Sequence, residues 1–349
     1  MPSYATLKRL KDDVVRTRIT ENLLSLRTDL DQRIPAKTAT DTLLLATWNI
    51  RKFGDNKSAE SLQYLAEIIS RFDLIAVQEV VSSLDGLQRL VSLLGHNWDF
   101  VVTDSTEGTS GGSERMAFIY DKCKVFFRKM AGELVLPQSK LIPVEDEKMQ
   151  FARTPFSVAF QAGWFRFILT TVHIFYGKDV KVDQRRLDEI TAIAKFIKER
   201  AKKEDENYIL LGDFNIFGTE DATMKALEKQ GFYIPESIRA CPSDYGKTKH
   251  YDQIAFKLKI DPKMTVFSEG VQRAGTFDFF ETVYRPQDMD IYREFFDEKN
   301  TAGKTEAKIA EYYLQTWRTF QMSDHLPMWI ELKIDFSNQC LEKLSKPTV

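Results

Sequence analysis

Apolar positions follow two rhythms along the chain. Across residues 4–31 they recur at helical spacing, at Leu7, Leu10, Val14, Leu23, Leu26 and Leu30. This predicts one or two amphipathic helices packed on the body of the protein, or alternatively an arm that binds a partner. Pro35 and the polar run from Lys37 to Asp41 close the segment as a linker. From there short β-prone runs alternate with helical stripes. Strands are predicted at Leu43–Trp48, Leu74–Val80, Met116–Tyr120, around Lys124–Met130, and at Phe156–Gln161, Phe165–Val172, Tyr208–Leu211 and Met328–Ile334, with a further one starting at His250. Helices are predicted over Ser58–Phe72, Asp85–Gly95, Val182–Lys203, Glu220–Gln230 and Lys304–Phe320. The charges of Val182–Lys203 read as a solvated face. Asp104–Ser113, rich in Gly, Ser and Thr, reads as a mobile loop.

Polar residues that interrupt these apolar runs gather at strand ends. Gly212 breaks the run Tyr208–Leu211, and Asp213 and Asn215 follow two residues apart, on one side of an extended backbone. The plain alternative is a strand closing in an Asx turn. Asn49 ends the first strand. Glu79 shares the face of Ile75 and Val77, where a carboxylate needs a partner or a cation. His173 stands at a strand tip, Asp252 at a strand mouth, and Asp324 and His325 on the loop before the last strand. Glu114 sits where the Gly-rich loop meets its strand. Arg153 precedes Thr154-Pro155, where proline favours an extended entrance, and its fork of donors suits phosphate. Each of these residues alone has an ordinary structural reading as a salt bridge, a core histidine or a turn.

Composition bounds the picture without deciding it. With 349 residues, 43% of them hydrophobic, the chain can bury one large core or two moderate ones. A formal net charge of -2 announces no nucleic-acid partner, so any phosphate-binding surface has to be local. The three cysteines, Cys123, Cys241 and Cys340, are widely spaced and suggest a reducing compartment rather than a disulfide framework. No apolar stretch follows Met1, and none approaches the roughly 20 residues of a membrane span. The expectation is a soluble, cytoplasmic protein.

Six of the stretches carry a resemblance. Trp48-Asn49-Ile50, Gln78-Glu79, Thr171-Val172-His173, Gly212-Asp213-Phe214-Asn215, Tyr251-Asp252-Gln253-Ile254 and Ser323-Asp324-His325 resemble, in order, the motif set of the endonuclease/exonuclease/phosphatase superfamily. Glu114-Arg115 and Phe151–Phe156 draw the match toward its deoxyribonuclease I-like branch. The resemblance spans about residues 42–335 and implies an α/β (α+β) four-layered sandwich, two mixed and mostly antiparallel sheets flanked by helices. It divides the chain into a helical extension and linker at 1–40, a catalytic domain at 41–336 with a helical insertion at about 270–322, and a C-terminal tail at 337–349.

The resemblance also implies metal-dependent hydrolysis of phosphate esters, with Mg²⁺ as cofactor and Mn²⁺ as a substitute. Glu79, Asn49 and Asp324 would hold the metal. His173, Asp213, Asn215, Asp252, His325 and Glu114 would carry the catalysis, with Asp252 paired to His325 and Glu114 to His173. Arg153, Asn49 and Asn215 would contact phosphate. A DNA endonuclease acting on a nucleic-acid partner is the leading reading. A phosphoesterase for a phospholipid headgroup or small phosphorylated molecule is the second, and a non-catalytic interaction module the third.

Overall fold

The computed structural model describes residues 2–105, 113–259 and 273–345. In chain order its strands are β1 (Thr42–Phe53), β2 (Leu74–Val80), β3 (Trp98–Val102), β4 (Arg115–Asp121), β5 (Val125–Glu133), β6 (Ile142–Val144), β7 (Glu147–Met149), β8 (Phe156–Ala162), β9 (Phe165–His173), β10 (Asn207–Asp213), β11 (Asp252–Lys257), β12 (Ala274–Thr276) and β13 (Met328–Lys333). One sheet has the order β12-β13-β1-β2-β4-β3 and the other β11-β10-β9-β8-β5. Among the described residues only β1–β2 and β9–β10 pair in parallel. The two sheets are therefore mixed and mostly antiparallel, as expected.

Period-two alternation explains why β1 reads as an unbroken apolar run. Leu43 and Leu45 face the other sheet, whereas Leu44, Ala46 and Trp48 face the helices outside, so both faces are buried. Between the sheets Phe118 meets Phe156 and Phe160, each with ring centroids 5.6 Å away. The outer face of the first sheet is covered by α1 (Asp13–Arg33), α2 (Ala59–Ile69) and α3 (Asp85–Leu94). The second sheet is covered by α4 (Gln184–Lys203) and α5 (Ala222–Lys229). No helix among the described residues is long and apolar enough to cross a membrane.

The N-terminal segment is one helix after a short 3₁₀ turn at Leu7–Arg9, started by Asp12, whose carboxylate accepts from the amides of Val14 and Val15. Its inward stripe is Ile19, Leu23, Leu26 and Leu30, while Val14 is 77% exposed, contrary to the expected pattern. Val14 lies in the first turn of α1. Arg18 and Arg27 reach Glu60 and Glu67 on α2 at 2.8 and 3.2 Å. Truncating the fully buried Leu26 to alanine is expected to cost about 2–5 kcal/mol. Guanidinium denaturation checks this; a loss below about 1 kcal/mol would mark α1 as a detachable arm.

Several boundaries differ from the sequence pattern for identifiable reasons. β1 does not end at Asn49 but runs on to Phe53 through a register shift, with Lys52 at φ 44°. Gly212 does not end β10 either. It sits in register between Val172 and Gln253 at φ 130°, and a Cβ there would lie 2.2 Å from the Val172 carbonyl oxygen. Glycine thus allows β9 and β10 their close approach.

Edge strand β3 is a five-residue β-prone run outside the predicted strands, and the β6–β7 hairpin is built from strands of three residues each, too brief to read from the pattern. The predicted helix Lys304–Phe320 appears as Glu306–Tyr312, a π-helical turn Tyr313–Trp317 and Arg318–Gln321. Ser337–Leu344 is helical where a tail was expected. Residues 106–112 of the Asp104–Ser113 loop and 270–272 of the insertion lie outside the described residues. The solvated face assigned to α4 is also incomplete, because Arg186 and Glu189 are wholly buried. Glu189 accepts from the amides of Ala152 (3.0 Å) and Phe175 (3.1 Å), tying the Arg153 loop to the end of β9.

Candidate active site

The central strands of both sheets end on the same side of the sandwich. Strand register puts Asp213 directly beside His173 on β9 and Asp252 on β11. From the facing sheet, Asn49 Nδ2 donates to Asp213 Oδ2 at 3.0 Å and to Glu79 Oε1 at 3.1 Å. One amide thus stitches the sheets together at the site. Glu79 adopts φ 59° at a break in the β2–β4 register, which turns its carboxylate out of the regular strand alternation and toward Asn49; its other oxygen accepts from the Lys52 amide at 2.9 Å. A non-glycine residue held at positive φ beside polar groups of this kind is typical of stored local strain at functional sites.

Asp213 is the centre of the constellation. Its Oδ1 accepts from the Asn215 amide at 2.8 Å, and its Oδ2 lies 3.5 Å from His173 Nε2 and 3.7 Å from His325 Nε2. Each imidazole has a second carboxylate behind it. Glu114 Oε2 stands 2.9 Å from His173 Nδ1, off the ideal hydrogen-bond direction, and Asp252 Oδ2 stands 2.7 Å from His325 Nδ1. Carboxylate, imidazole, carboxylate, imidazole and carboxylate follow one another from Glu114 to Asp252.

The charges follow from this order. Burial works against ionising Glu114, yet His173 and Arg153 outweigh it and hold its pKa at about 2. Burial likewise opposes the His325 imidazolium, but Asp252 and Asp213 overcome it and raise its pKa well above the ordinary value. Burial also raises the Asp252 carboxyl, so the pair keeps its shared proton over a wide pH range.

Residues outside the predicted set fix this geometry. Ser323 Oγ donates to the Asn49 carbonyl at 2.6 Å and accepts from the amides of Arg51 and His325. Trp48 Nε1 donates to the His325 carbonyl at 2.8 Å, and Ser243 Oγ accepts from the Asp252 amide at 2.8 Å. The buried Lys57 ammonium caps the helix before the Ser323 loop by donating to the carbonyls of Phe320 and Met322. Ser323 and Trp48 adjoin the candidate residues Asp324 and Asn49 in sequence; nothing in the sequence signals Ser243 or Lys57.

Three of the expected residues have protein partners in this structure. Asn215 does not share an extended face with Asp213; at φ 53° it turns away, and its Nδ2 donates to the Ile174 carbonyl at 2.8 Å, so the Asx turn and the site are one structure. The Nε and Nη2 donors of Arg153, expected on phosphate, are taken by Glu114 at 2.8 and 3.1 Å. Asp324, expected on the metal, lies 3.5 Å from Arg51 Nη1, and the Arg51 guanidinium stacks 3.9 Å over Phe320.

The remaining candidates fit a hard cation. Asn49 Oδ1 is buried without a hydrogen-bond partner beside the Glu79 carboxylate. One carboxylate and one amide oxygen, completed by water and a phosphate oxygen, form the kind of partial shell Mg²⁺ accepts. No group of three or more His, Cys, Asp or Glu among the described residues is arranged to cage an ion without such help.

Comparison with known proteins places this geometry in context. The family model described as Endonuclease/Exonuclease/phosphatase family matches residues 46–290. No curated protein matches the chain in sequence. Among solved structures, a mannosyl-6-phosphatase from Bacteroides thetaiotaomicron is 17% identical with a TM-score of 0.53, over 83% of this chain and 99% of its own. The human Nocturnin catalytic domain, with bound sulfate, is 13% identical with a TM-score of 0.52, over 83% and 94%. D. rerio TDP2 complexed with a single-strand DNA product is 14% identical with a TM-score of 0.50, over 83% and 98%. At these identities the likeness is one of fold.

Proposed function

This chain belongs to the endonuclease/exonuclease/phosphatase family, whose members hydrolyse phosphate esters, and from that premise we propose that it is a Mg²⁺-dependent phosphodiesterase acting on DNA. The observation that carries the reading is the single carboxylate of Asp213 held between two imidazoles, each with its own acid. Such an array can take a proton on one side of a phosphorus centre and give one on the other.

In the proposed reaction water attacks phosphorus, its oxygen forming the new P–O bond as the bond to the leaving oxygen breaks. Asp213 orients the water and accepts its proton. His325, held as the imidazolium by Asp252, faces the negative charge that develops on the phosphoryl oxygens. His173, oriented by Glu114, supplies the proton to the leaving oxygen. Asn49 and Glu79 would hold the metal, which when bound neutralises phosphoryl charge as a Lewis acid. Arg153 keeps Glu114 ionised and positioned rather than gripping phosphate directly.

The test is nicking of supercoiled plasmid with Mg²⁺, beside EDTA and Asp213→Ala controls. Cleavage that disappears in both controls is the expected result. A flat result from folded protein on both the plasmid and a single-stranded oligonucleotide would overturn the nuclease reading. The net charge of -2 supports a second reading, a small phosphorylated molecule or phospholipid headgroup, because a duplex binder usually carries more basic surface. Hydrolysis of such phosphoesters by protein inert on plasmid would establish it.

A further inference from the structure

Beside the reacting centre lies a wall of rings that the hydrolytic chemistry does not use. Tyr176, Phe217 and Tyr251 contact one another with centroids 6.0 Å (Tyr176–Phe217), 6.2 Å (Tyr176–Tyr251) and 5.6 Å (Phe217–Tyr251) apart. Tyr251 also lies 5.3 Å from the His325 imidazole, tilted by 32°, so the wall begins at the site itself. A ring cluster of this kind is more often core than binding surface. Here, however, Phe217 is buried while Tyr176 is 37% exposed, which leaves the cluster anchored at one end and open at the other.

The way the open end is held argues further against simple packing. Arg186, at the start of α4, is wholly buried, and its guanidinium hydrogen-bonds to carbonyls, with the Asp183 and Asp213 carboxylates acting on it only through space. Its guanidinium donates to the carbonyls of Tyr176 (Nε, 3.1 Å), Val180 (3.1 Å) and Lys178 (2.9 Å), and its Nη2 also donates to Tyr176. It lies 4.7 Å from the Phe217 ring centroid. Burial works against this cation and holds its pKa below the ordinary value despite Asp183, and what the carbonyl bonds secure is one fixed shape for the 174–183 connection that carries Tyr176. At the rim, Lys249 Nζ stands 3.7 Å over Phe217 and 3.7 Å from Asp179.

We propose that this wall is a subsite for the base of the nucleotide next to the scissile phosphate, so that the enzyme prefers a single strand or an unpaired end to intact duplex. The inference rests on the nuclease reading above. A base within a duplex offers its faces only to its neighbours, whereas an unpaired base is free to stack on a tyrosine. Lys249 is the cation placed to meet the adjoining phosphate, in exchange for Asp179. Arg186 is a positioning residue that keeps the wall in place before substrate arrives.

The experiment compares cleavage of a thymidine 12-mer with that of an abasic tetrahydrofuran 12-mer. It also follows, in EDTA, the fluorescence of a single strand carrying 2-aminopurine. The ratio of kcat/KM for the two 12-mers is expected to fall about tenfold in Tyr176→Ala, mainly through KM, and to recover in Tyr176→Trp. Wild-type protein should quench 2-aminopurine and Tyr176→Ala should not. An unchanged ratio with equal quenching would overturn the wall while leaving the nuclease intact. Quenching that depends on Tyr176 in a protein that cleaves neither strand would leave the wall standing and remove the nuclease reading.

Discussion

Replacing Asp213 with asparagine is expected to slow phosphodiester hydrolysis about a thousandfold or more while leaving the protein folded. The asparagine is the same size and keeps an oxygen to accept from the Asn215 amide, so the turn at the end of β10 survives. What changes is the other oxygen. Asp213 Oδ2 faces three nitrogens, Asn49 Nδ2 at 3.0 Å, His173 Nε2 at 3.5 Å and His325 Nε2 at 3.7 Å. An amide nitrogen in that place turns attraction into donor-against-donor contact, and it cannot take a proton from water. His325 also loses one of its two flanking carboxylates, so its pKa should drop toward the ordinary value. Steady-state kinetics on plasmid or an activated phosphodiester, beside a thermal melt, separates the outcomes. Activity within about tenfold of wild type would remove Asp213 from the proton-transfer step.

The contrast between Asp213 and its supports shows what a sequence makes legible. The strands bearing Asn49, Glu79, His173 and Asp213 announce themselves because each is buried on both faces and reads as an apolar run that stops at a polar residue. The alternation of strands and helices is therefore visible in outline before any coordinates, whereas the layered sandwich and the Asp252–His325 pairing are what the family resemblance implies. What holds the outline in register is not. The Asn49–Asp213 bond joins residues 164 apart. Ser243, which meets the Asp252 amide, belongs to a turn without a distinguishing pattern.

Charge on a helix is the least readable signal. Arg186 and Glu189 look like members of a solvated face, yet both turn inward to hold loops rather than to pack a core. The misassignments share one cause. Period-two and period-3.6 patterns report burial by apolar neighbours, and they are silent about side chains buried to satisfy backbone groups. At Asn215 the extended geometry of the strand gives way to a positive φ, so its side chain leaves the face of Asp213.

Changing Asp252 to asparagine should lower the hydrolytic rate about a hundredfold or more and move the alkaline limb of the pH–rate profile toward acid. Asp252 is fully buried, and its Oδ2 lies 2.7 Å from His325 Nδ1. It is the nearest charge that sustains the imidazolium. An asparagine still accepts a hydrogen bond from Nδ1 but offers no charge, so His325 is left with Asp213 and the smaller contribution of Asp324 and loses its proton at lower pH. Stability follows with a definite sign. The folded pKa of His325 is raised above its unfolded value of about 6.5. The interaction therefore stabilises the protein fully below that unfolded value, and its contribution is lost as pH rises through the folded pKa. Urea titrations across pH should accordingly show wild type and Asp252→Asn furthest apart at acid pH and converging as pH rises. In a His325→Gln background the part of that difference owed to the imidazole should vanish, leaving only the titration of the Asp252 carboxyl, which burial raises. A rate profile whose alkaline limb stays fixed in Asp252→Asn would mean that the limb belongs to another group, and that His325 meets the phosphoryl charge without help from Asp252.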